Sequence, residues 1–192
     1  MFVKKTEAGR IFKEAYKGVG LRIVNDGNGL ALTGRAWAMY IFSENIPKEI
    51  MGGIISLTGA VPQEGEQVLY NKENSQTELY MANPDHAVYK RALEAQAAGN
   101  AVRGSDVIIT ELLDRMYRVL TDSSGMTHPV PERIWEMISP ANCEENEEMH
   151  GCFATKEGWI YWLSDHMALG FCTKFVDGQI KARAEQLAAA GL

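Results

Sequence analysis

Five potential metal ligands are crowded into residues 143–172 of the sequence: Cys143, His150, Cys152, His166 and Cys172. Zinc prefers thiolate and imidazole ligands and takes four of them in a tetrahedral structural site. However, the spacings here match none of the common paired-ligand zinc motifs. We therefore expect no bound metal and no other cofactor. If the chain did bind zinc, these five residues would be the candidate ligands. The simpler interpretation places Cys152 and Cys172 in strands, facing the core as small apolar groups.

The same region carries the enzyme hypothesis, a small hydrolase or transferase with a Cys/His site between Cys143 and Cys172, with or without metal. His166 follows an aspartate and could act as an oriented base, with Ser123, Ser124 or Cys172 as the nucleophile. No Gly-x-Ser-x-Gly nucleophile motif is present. The glycines at 29 and 34 have the spacing of a phosphate-binding loop but lack its lysine and its hydroxyl residue. All four histidines are therefore interpreted as structural or surface residues, and no catalytic residue is assigned.

A pattern of glutamates followed by aromatic residues indicates binding instead of catalysis. Exposed acidic clusters steer association with basic partners, and tryptophan often carries interface energy. Along the hairpin at 152–163, one face of alternating side chains would line the core. The other face would contact a partner or lie under the C-terminal helix. The residues predicted to bind a partner are Glu132, Glu136, Glu144, Glu145, Glu147, Glu148, Trp159 and Trp162.

The distribution of charge supports a protein partner with a basic surface. The formal net charge is −6, with seven Lys/Arg against three Asp/Glu in residues 1–40 and four against ten in residues 101–150. An acidic chain argues against direct binding to duplex DNA, which requires neutralisation of phosphates. The leading hypothesis is a non-enzymatic binding protein, an inhibitor or regulator of a nucleic-acid-handling protein complex. It predicts that reversing Glu144, Glu145, Glu147 and Glu148 to lysine leaves the fold intact but abolishes partner capture.

A third hypothesis is a structural or assembly subunit of a homo-oligomer. Its contacts would come from the alanine-rich final helix and from an apolar stripe between Ile109 and Leu120. The sequence does not fix the oligomeric state.

Composition predicts an ordinary globular protein. The chain has 192 residues, 46% of them hydrophobic, and three cysteines, too few for a disulfide framework. The first ten residues lead into no apolar run, and no stretch is long enough to cross a bilayer. We therefore expect a soluble, cytoplasmic protein without a membrane partner. One domain over residues 1–192 is favoured, with a boundary near 122–130 as the alternative.

Periodicity and turn signals predict an α+β fold of antiparallel hairpins packed with five or six helices, without an internal repeat. The pair Gly52-Gly53 should mark a close approach of another element. Residues 122–131 are predicted to form a loop because they contain prolines and a glycine. The helices are expected at 7–17, 47–59, 84–97, 105–120, 131–138 and 177–190, and the strands in a meander at 21–42, in hairpins at 67–81 and 152–163, and at 167–175.

Overall fold

The computed structural model describes residues 1–73, 75–79, 87–111, 115–143 and 147–191, with the backbone alone for 75–79. The α-helices in these ranges are α1 (Lys5–Lys17), α2 (Lys48–Thr58), α3 (Ala87–Ala97), α4 (Glu132–Met137) and α5 (Gly178–Ala189). The strands are β1 (Leu21–Asn25), β2 (Gly29–Thr33), β3 (Trp37–Phe42), β4 (Glu66–Tyr70), β5 (Ser75–Leu79), β6 (Val102–Thr110), β7 (Met116–Asp122), β8 (Thr127–Pro131), β9 (Met149–Ala154), β10 (Trp159–Ser164) and β11 (Met167–Cys172). Short 3₁₀ turns cover Ser43–Asn45, Pro140–Asn142 and Thr173–Phe175.

The strands form two antiparallel sheets. The larger has eight strands in the order β5-β4-β1-β2-β3-β11-β10-β9, and the smaller has three in the order β6-β7-β8. Two elements that are distant in sequence, β3 and β11, pair at the centre of the large sheet. We call this pairing the central seam. The α+β class with antiparallel hairpins is confirmed.

The large sheet contains an internal repeat that the sequence analysis missed. Strands β2 and β3, a 3₁₀ turn and α2 follow one another in the chain, and β10, β11, a second 3₁₀ turn and α5 repeat this order 130 residues later. Residues 37, 43 and 48 begin β3, the turn and α2, and residues 167, 173 and 178 begin their counterparts. Met39 and Leu169, which correspond under this offset, are direct partners in the central seam. An approximate two-fold axis therefore passes between them. The repeat escaped detection because few residues match; Ile50 and Ile180 are one identical pair.

Both faces of the large sheet are covered. One face contributes Met39, Trp162 and Leu169 to a core that also includes side chains of α1, α2, α4, α5 and the small sheet. The other face carries Tyr161 and packs against α3. Alternation in β10 thus sends neighbouring aromatic residues to opposite cores. The first core contains residues on both sides of 122–130, and the domain count stays a prediction.

The helix predicted at 105–120 is wrong, because β6 and β7 form a hairpin there. The run Val107–Thr110 is β-branched at every position, which favours a strand over a helix. The 3.6-residue stripe that suggested a helix is accidental, since Met116 is 48% exposed while Tyr117 and Val119 are buried. Leu112 and Leu113, which belonged to that stripe, lie outside the described residues.

The loop predicted at 122–131 is also wrong in part, because Thr127–Pro131 forms strand β8. This strand lies at the edge of the small sheet, and its two prolines are separated by one residue. The backbone N–H groups of successive residues in a strand point to alternate sides of the strand. Pro129 and Pro131, two residues apart, therefore both remove a donor from the same side of β8. An edge strand tolerates this when that side faces away from its partner.

Gly170 provides a test of how tightly the sheet packs beside the central seam. A Cβ at this position would lie 2.6 Å from Cε1 of Tyr161, whereas a Cβ at Gly52 would meet nothing within 4 Å. The predicted close approach at Gly52-Gly53 is therefore wrong.

We expect Gly170→Ala to lower the free energy of unfolding by about 1–3 kcal/mol through overpacking. Gly52→Ala should raise it by about 0.5–1 kcal/mol because alanine favours the helix. Urea unfolding monitored by circular dichroism measures both, and equal effects would contradict this packing.

Candidate binding groove

A groove of about 820 Å³ lies among the described residues at one end of the central seam. Its walls come from α1, β7, α4, the β2–β3 turn and the 3₁₀ turn after β11. Three large apolar side chains in these walls are exposed: Val19 by 58%, Met116 by 48% and Phe175 by 57%. We call these three residues the apolar rim. Large apolar side chains that share one concave surface indicate a contact site more strongly than the same residues scattered singly.

The charges in the groove are mixed, with more carboxylates than guanidinium groups. Its lining includes Glu14, Glu111, Glu132, Glu136 and Asp177 against Arg35, Arg115 and Arg133. Arg133 pairs with Glu14, and Asp177 caps α5 by accepting from the backbone N–H of Gln179. Oε2 of Glu111 is buried and has no hydrogen-bond partner among the described residues. A buried acceptor of this kind is costly unless a donor reaches it.

Glu132 lies in the groove wall but is not available to a partner, which corrects its prediction as an exposed binding residue. It is buried and accepts two hydrogen bonds from Arg118, at 3.0 Å from Nε and 2.5 Å from Nη2. These bonds raise the pKa of Arg118 above its ordinary value, against the opposing effect of burial. The bidentate pair holds β7 against the start of α4. Glu136, one helical turn later, is exposed in the same groove.

Glu147 was predicted to face a partner and is instead buried. Its Oε1 accepts a hydrogen bond of 2.6 Å from the Ser164 hydroxyl, and its Oε2 contacts the amino group of Met1. Nδ1 of His166 lies 3.9 Å from the same Oε2. Lysine at 147 would bring a second cation to this site, so for Glu147 we now expect charge reversal to disturb the fold. Glu148 is exposed, and Glu144 and Glu145 lie outside the described residues.

The two predicted tryptophans do not form an exposed patch. Trp162 is 1% exposed and belongs to the main core. Trp159 is half-buried and stacks on Tyr161, with 5.7 Å between ring centroids. The prediction that Trp162 contacts a partner is therefore wrong, because β10 turns its even-numbered side chains into the core.

The candidate zinc ligands are not brought together. Among the described residues, no three His, Cys, Asp or Glu side chains are placed to hold a metal ion. His150 pairs with Asp165 through Nε2 and Oδ1 at 2.8 Å, and Cys172 is buried in β11. Burial raises the pKa of Cys152. Burial and then the nearby Glu147 raise the pKa of Cys143, although the Met1 amino group acts in the opposite direction. Neutral thiols are poor nucleophiles and poor metal ligands.

A buried Asp–His pair was not found by sequence reasoning. The Asp122 carboxylate accepts from Nε2 of His128 at 2.9 Å, from Nδ2 of Asn100 at 3.1 Å and from the Ser124 hydroxyl at 2.6 Å. Burial opposes ionisation of Asp122, but the bonds from Ser124, His128 and Asn100 outweigh it and hold its pKa well below the usual range. The signal was the turn sequence Asp-Ser-Ser-Gly, because aspartate at the first position commonly caps such a turn.

This pair does not resemble a catalytic dyad. Ser124 donates to Asp122 and Ser123 donates to Asn100, so neither hydroxyl is bonded to the histidine. His128 is itself buried. The network fixes the β7–β8 turn and its attachment to Asn100.

Comparison of the chain with protein-family models, with curated proteins and with solved structures found no match in any of the three. Among the described helices, none has the length and apolar character needed to span a membrane.

Asp122→Asn tests the network through pH. Because the folded pKa is depressed, the ionised carboxylate stabilises the fold above the unfolded pKa of about 3.9, and this contribution is lost as pH falls below it. We expect the variant to lose about 2–3 kcal/mol of unfolding free energy at pH 7, as for other buried hydrogen-bonded groups. Its stability should also fall less steeply between about pH 4 and 2. Urea unfolding at several pH values measures both, and parallel pH curves for the two proteins would contradict the assignment.

Glu147→Lys and Glu148→Lys form a matched pair. The first places an ammonium group in a buried site that already holds the Met1 amino group, so we expect a loss of about 3–5 kcal/mol or failure to fold. The second changes an exposed residue and should alter stability by less than about 0.5 kcal/mol. Thermal unfolding distinguishes them, and similar melting temperatures would show that Glu147 is not held as described.

Proposed function

We propose that this protein is a non-enzymatic binding protein that holds a basic, partly apolar segment of a protein partner in the groove. The observation that carries the proposal is the apolar rim, in which Val19, Met116 and Phe175 are exposed around one concave surface. Exposure of three such side chains to water is unfavourable, and their burial by a partner recovers about 25 cal/mol for each Å² covered.

The acidic side chains Glu111 and Glu136 are the basis for a partner segment with positive charge, and they share the groove with the exposed Arg35 and Arg115. Glu111 lines the groove, and the exposed Glu136 lies in the same groove. An arginine or lysine of the partner could satisfy these acceptors while its neighbours cover the apolar rim. Such pairs contribute to specificity and to the rate of association. The basic partner inferred from the sequence is thus retained, but the acidic surface that receives it differs from the one predicted.

The proposed partner class is a protein of a nucleic-acid-handling complex, and the proposed role is that of an inhibitor or regulator. Proteins of this class expose lysine and arginine to neutralise phosphates. Capture of such a segment in the groove would remove it from its nucleic acid. A groove that holds one short segment achieves this without a highly charged surface, in keeping with a net charge of only −6.

Two alternatives have less support. The nucleophiles named for an enzyme are Cys172, Ser123 and Ser124, but Cys172 is buried and the two serine hydroxyls donate to Asn100 and Asp122 and not to a histidine. A homo-oligomer was inferred from a helical stripe at 109–120 and from the final helix. The first is a hairpin, and Ile180 and Ala184 of α5 are buried in the main core.

Selection of peptides tests the binding role directly. We expect a random-peptide phage library panned on the immobilised full chain to yield sequences with lysine or arginine beside large apolar residues. Affinities should fall about tenfold or more for Met116→Ser combined with Phe175→Ser, because such anchors dominate small interfaces. Fluorescence anisotropy of the synthesised peptides provides the measurement.

Ile55→Ser is the matched control, since Ile55 is 44% exposed on α2 and does not line the groove. It should leave affinity unchanged. Glu136→Lys should reduce the yield of basic peptides. Failure to enrich any peptide above uncoated wells, or equal affinities for the double variant and wild type, would refute the binding role.

A further inference from the structure

We infer that the ligand of the groove is a short extended peptide segment of apolar residues adjoining positive charge, of the kind that the chain's own residues 1–5 supply at the symmetry-related position. This inference rests on the proposed function and specifies its ligand. It follows from the internal repeat, which creates two equivalent positions on the large sheet, and from the chain's own N-terminal segment, which lies at one of them.

The two positions are identified by corresponding residues. The open groove is lined by Ala36 at the start of β3 and by Asp177 at the start of α5. Under the offset of 130 residues these correspond to His166 and Pro47, at the starts of β11 and α2. The second position therefore lies at the opposite end of the central seam, as the approximate two-fold axis requires.

The N-terminal segment occupies this second position. Met1 and Val3 lie beside Pro47. The amino group of Met1 contacts Glu147, whose carboxylate lies 3.9 Å from His166. Met1, Phe2 and Val3 are all buried, Phe2 completely. Three successive apolar side chains thus lie at the place that corresponds to the open groove, beside a smaller pocket of about 450 Å³.

Backbone hydrogen bonds hold the segment in an extended conformation. The Ser139 N–H donates to the Phe2 carbonyl at 2.7 Å, and the Lys4 N–H donates to the Met137 carbonyl at 2.8 Å. Val3 forms an antiparallel bridge with Ile138. An extended peptide that gains backbone partners in this way shows strand addition, a common mode of peptide recognition. Positive charge continues after the apolar residues, where Lys5 pairs with Glu49.

The open groove offers two of these features, exposed apolar side chains and carboxylates. The apolar rim provides a surface for the apolar side chains of the peptide, and Glu111 and Glu136 supply carboxylates. At the position of the N-terminal segment the carboxylate of Glu147 contacts the Met1 amino group, and in the groove Glu111 and Glu136 are the carboxylates that a cation of the ligand would meet. Apolar residues next to a cation therefore suit the apolar rim and the carboxylates of the groove.

The probe is a synthetic peptide with residues 1–6 of this chain, Met-Phe-Val-Lys-Lys-Thr, as its C-terminal amide with a free amino group. It is titrated into the ¹⁵N-labelled full chain and followed by NMR. We expect shift changes at Val19, Met116 and Phe175. A peptide with Phe2→Ala should bind about tenfold more weakly because it lacks its largest apolar anchor. An acetylated peptide with both lysines replaced by glutamate should not bind detectably.

Protein variants locate the site. Phe175→Ser should weaken binding of the probe about fivefold or more, and Ile55→Ser should leave it unchanged. No shift changes at about 1 mM peptide, changes away from the apolar rim, or equal binding of the glutamate peptide would each overturn the inference. If the probe fails while library peptides still bind in a manner sensitive to the double rim variant, the ligand assignment is wrong and the binding role stands. If both fail, the binding role is wrong as well.

Discussion

Antiparallel pairing of β3 with β11 is the constraint on which the arrangement of the chain depends. These strands begin 130 residues apart in the sequence, and their pairing turns two local meanders into one eight-stranded sheet. Closing so long a loop costs conformational entropy, which only the burial of both sheet faces can offset. Met39 and Leu169 are completely buried where the two halves meet. The helices α2 and α5 follow from this pairing, because each continues from its central strand through an equivalent 3₁₀ turn.

The approximate two-fold symmetry of the central seam is broken by what lies beyond the repeat. At one end, Met1, Phe2 and Val3 pack beneath the segment that follows α4 and bring an ammonium group to Glu147. At the other end, α1 and the small sheet stand around an open groove. One half of the molecule is therefore completed by its own chain. The other half leaves apolar side chains exposed, which is the physical basis of the proposed partner.

Buried charge in this protein fixes the positions of elements. Glu132 ties β7 to α4 through Arg118, Asp122 fixes the β7–β8 turn through His128, and Glu147 holds the N-terminal segment. Each carboxylate has its partners in place, as buried charge requires. By contrast, Oε2 of Glu111, which lies in the groove, has no hydrogen-bond partner within the part of the chain that the structure describes. The exception to the pattern thus coincides with the site inferred from the apolar rim.

The sequence by itself determined the α+β class, the meander at 21–42, the β9–β10 hairpin and most helices, because turn residues and local periodicity encode these elements. It wrongly predicted a helix at 105–120, where apolar spacing compatible with a helix competed with β-branched residues. It also predicted a loop in place of β8, whose prolines are tolerated only at a sheet edge. Which glutamates and tryptophans are exposed was decided by tertiary structure alone. Glu147 and Glu148 are neighbours in the chain, yet one is buried and the other is in water. Composition assigns both to one acidic cluster, and only the approach of Met1 and Ser164 from distant elements separates them. The groove likewise combines residues from 11 to 177, so no local pattern could have indicated it.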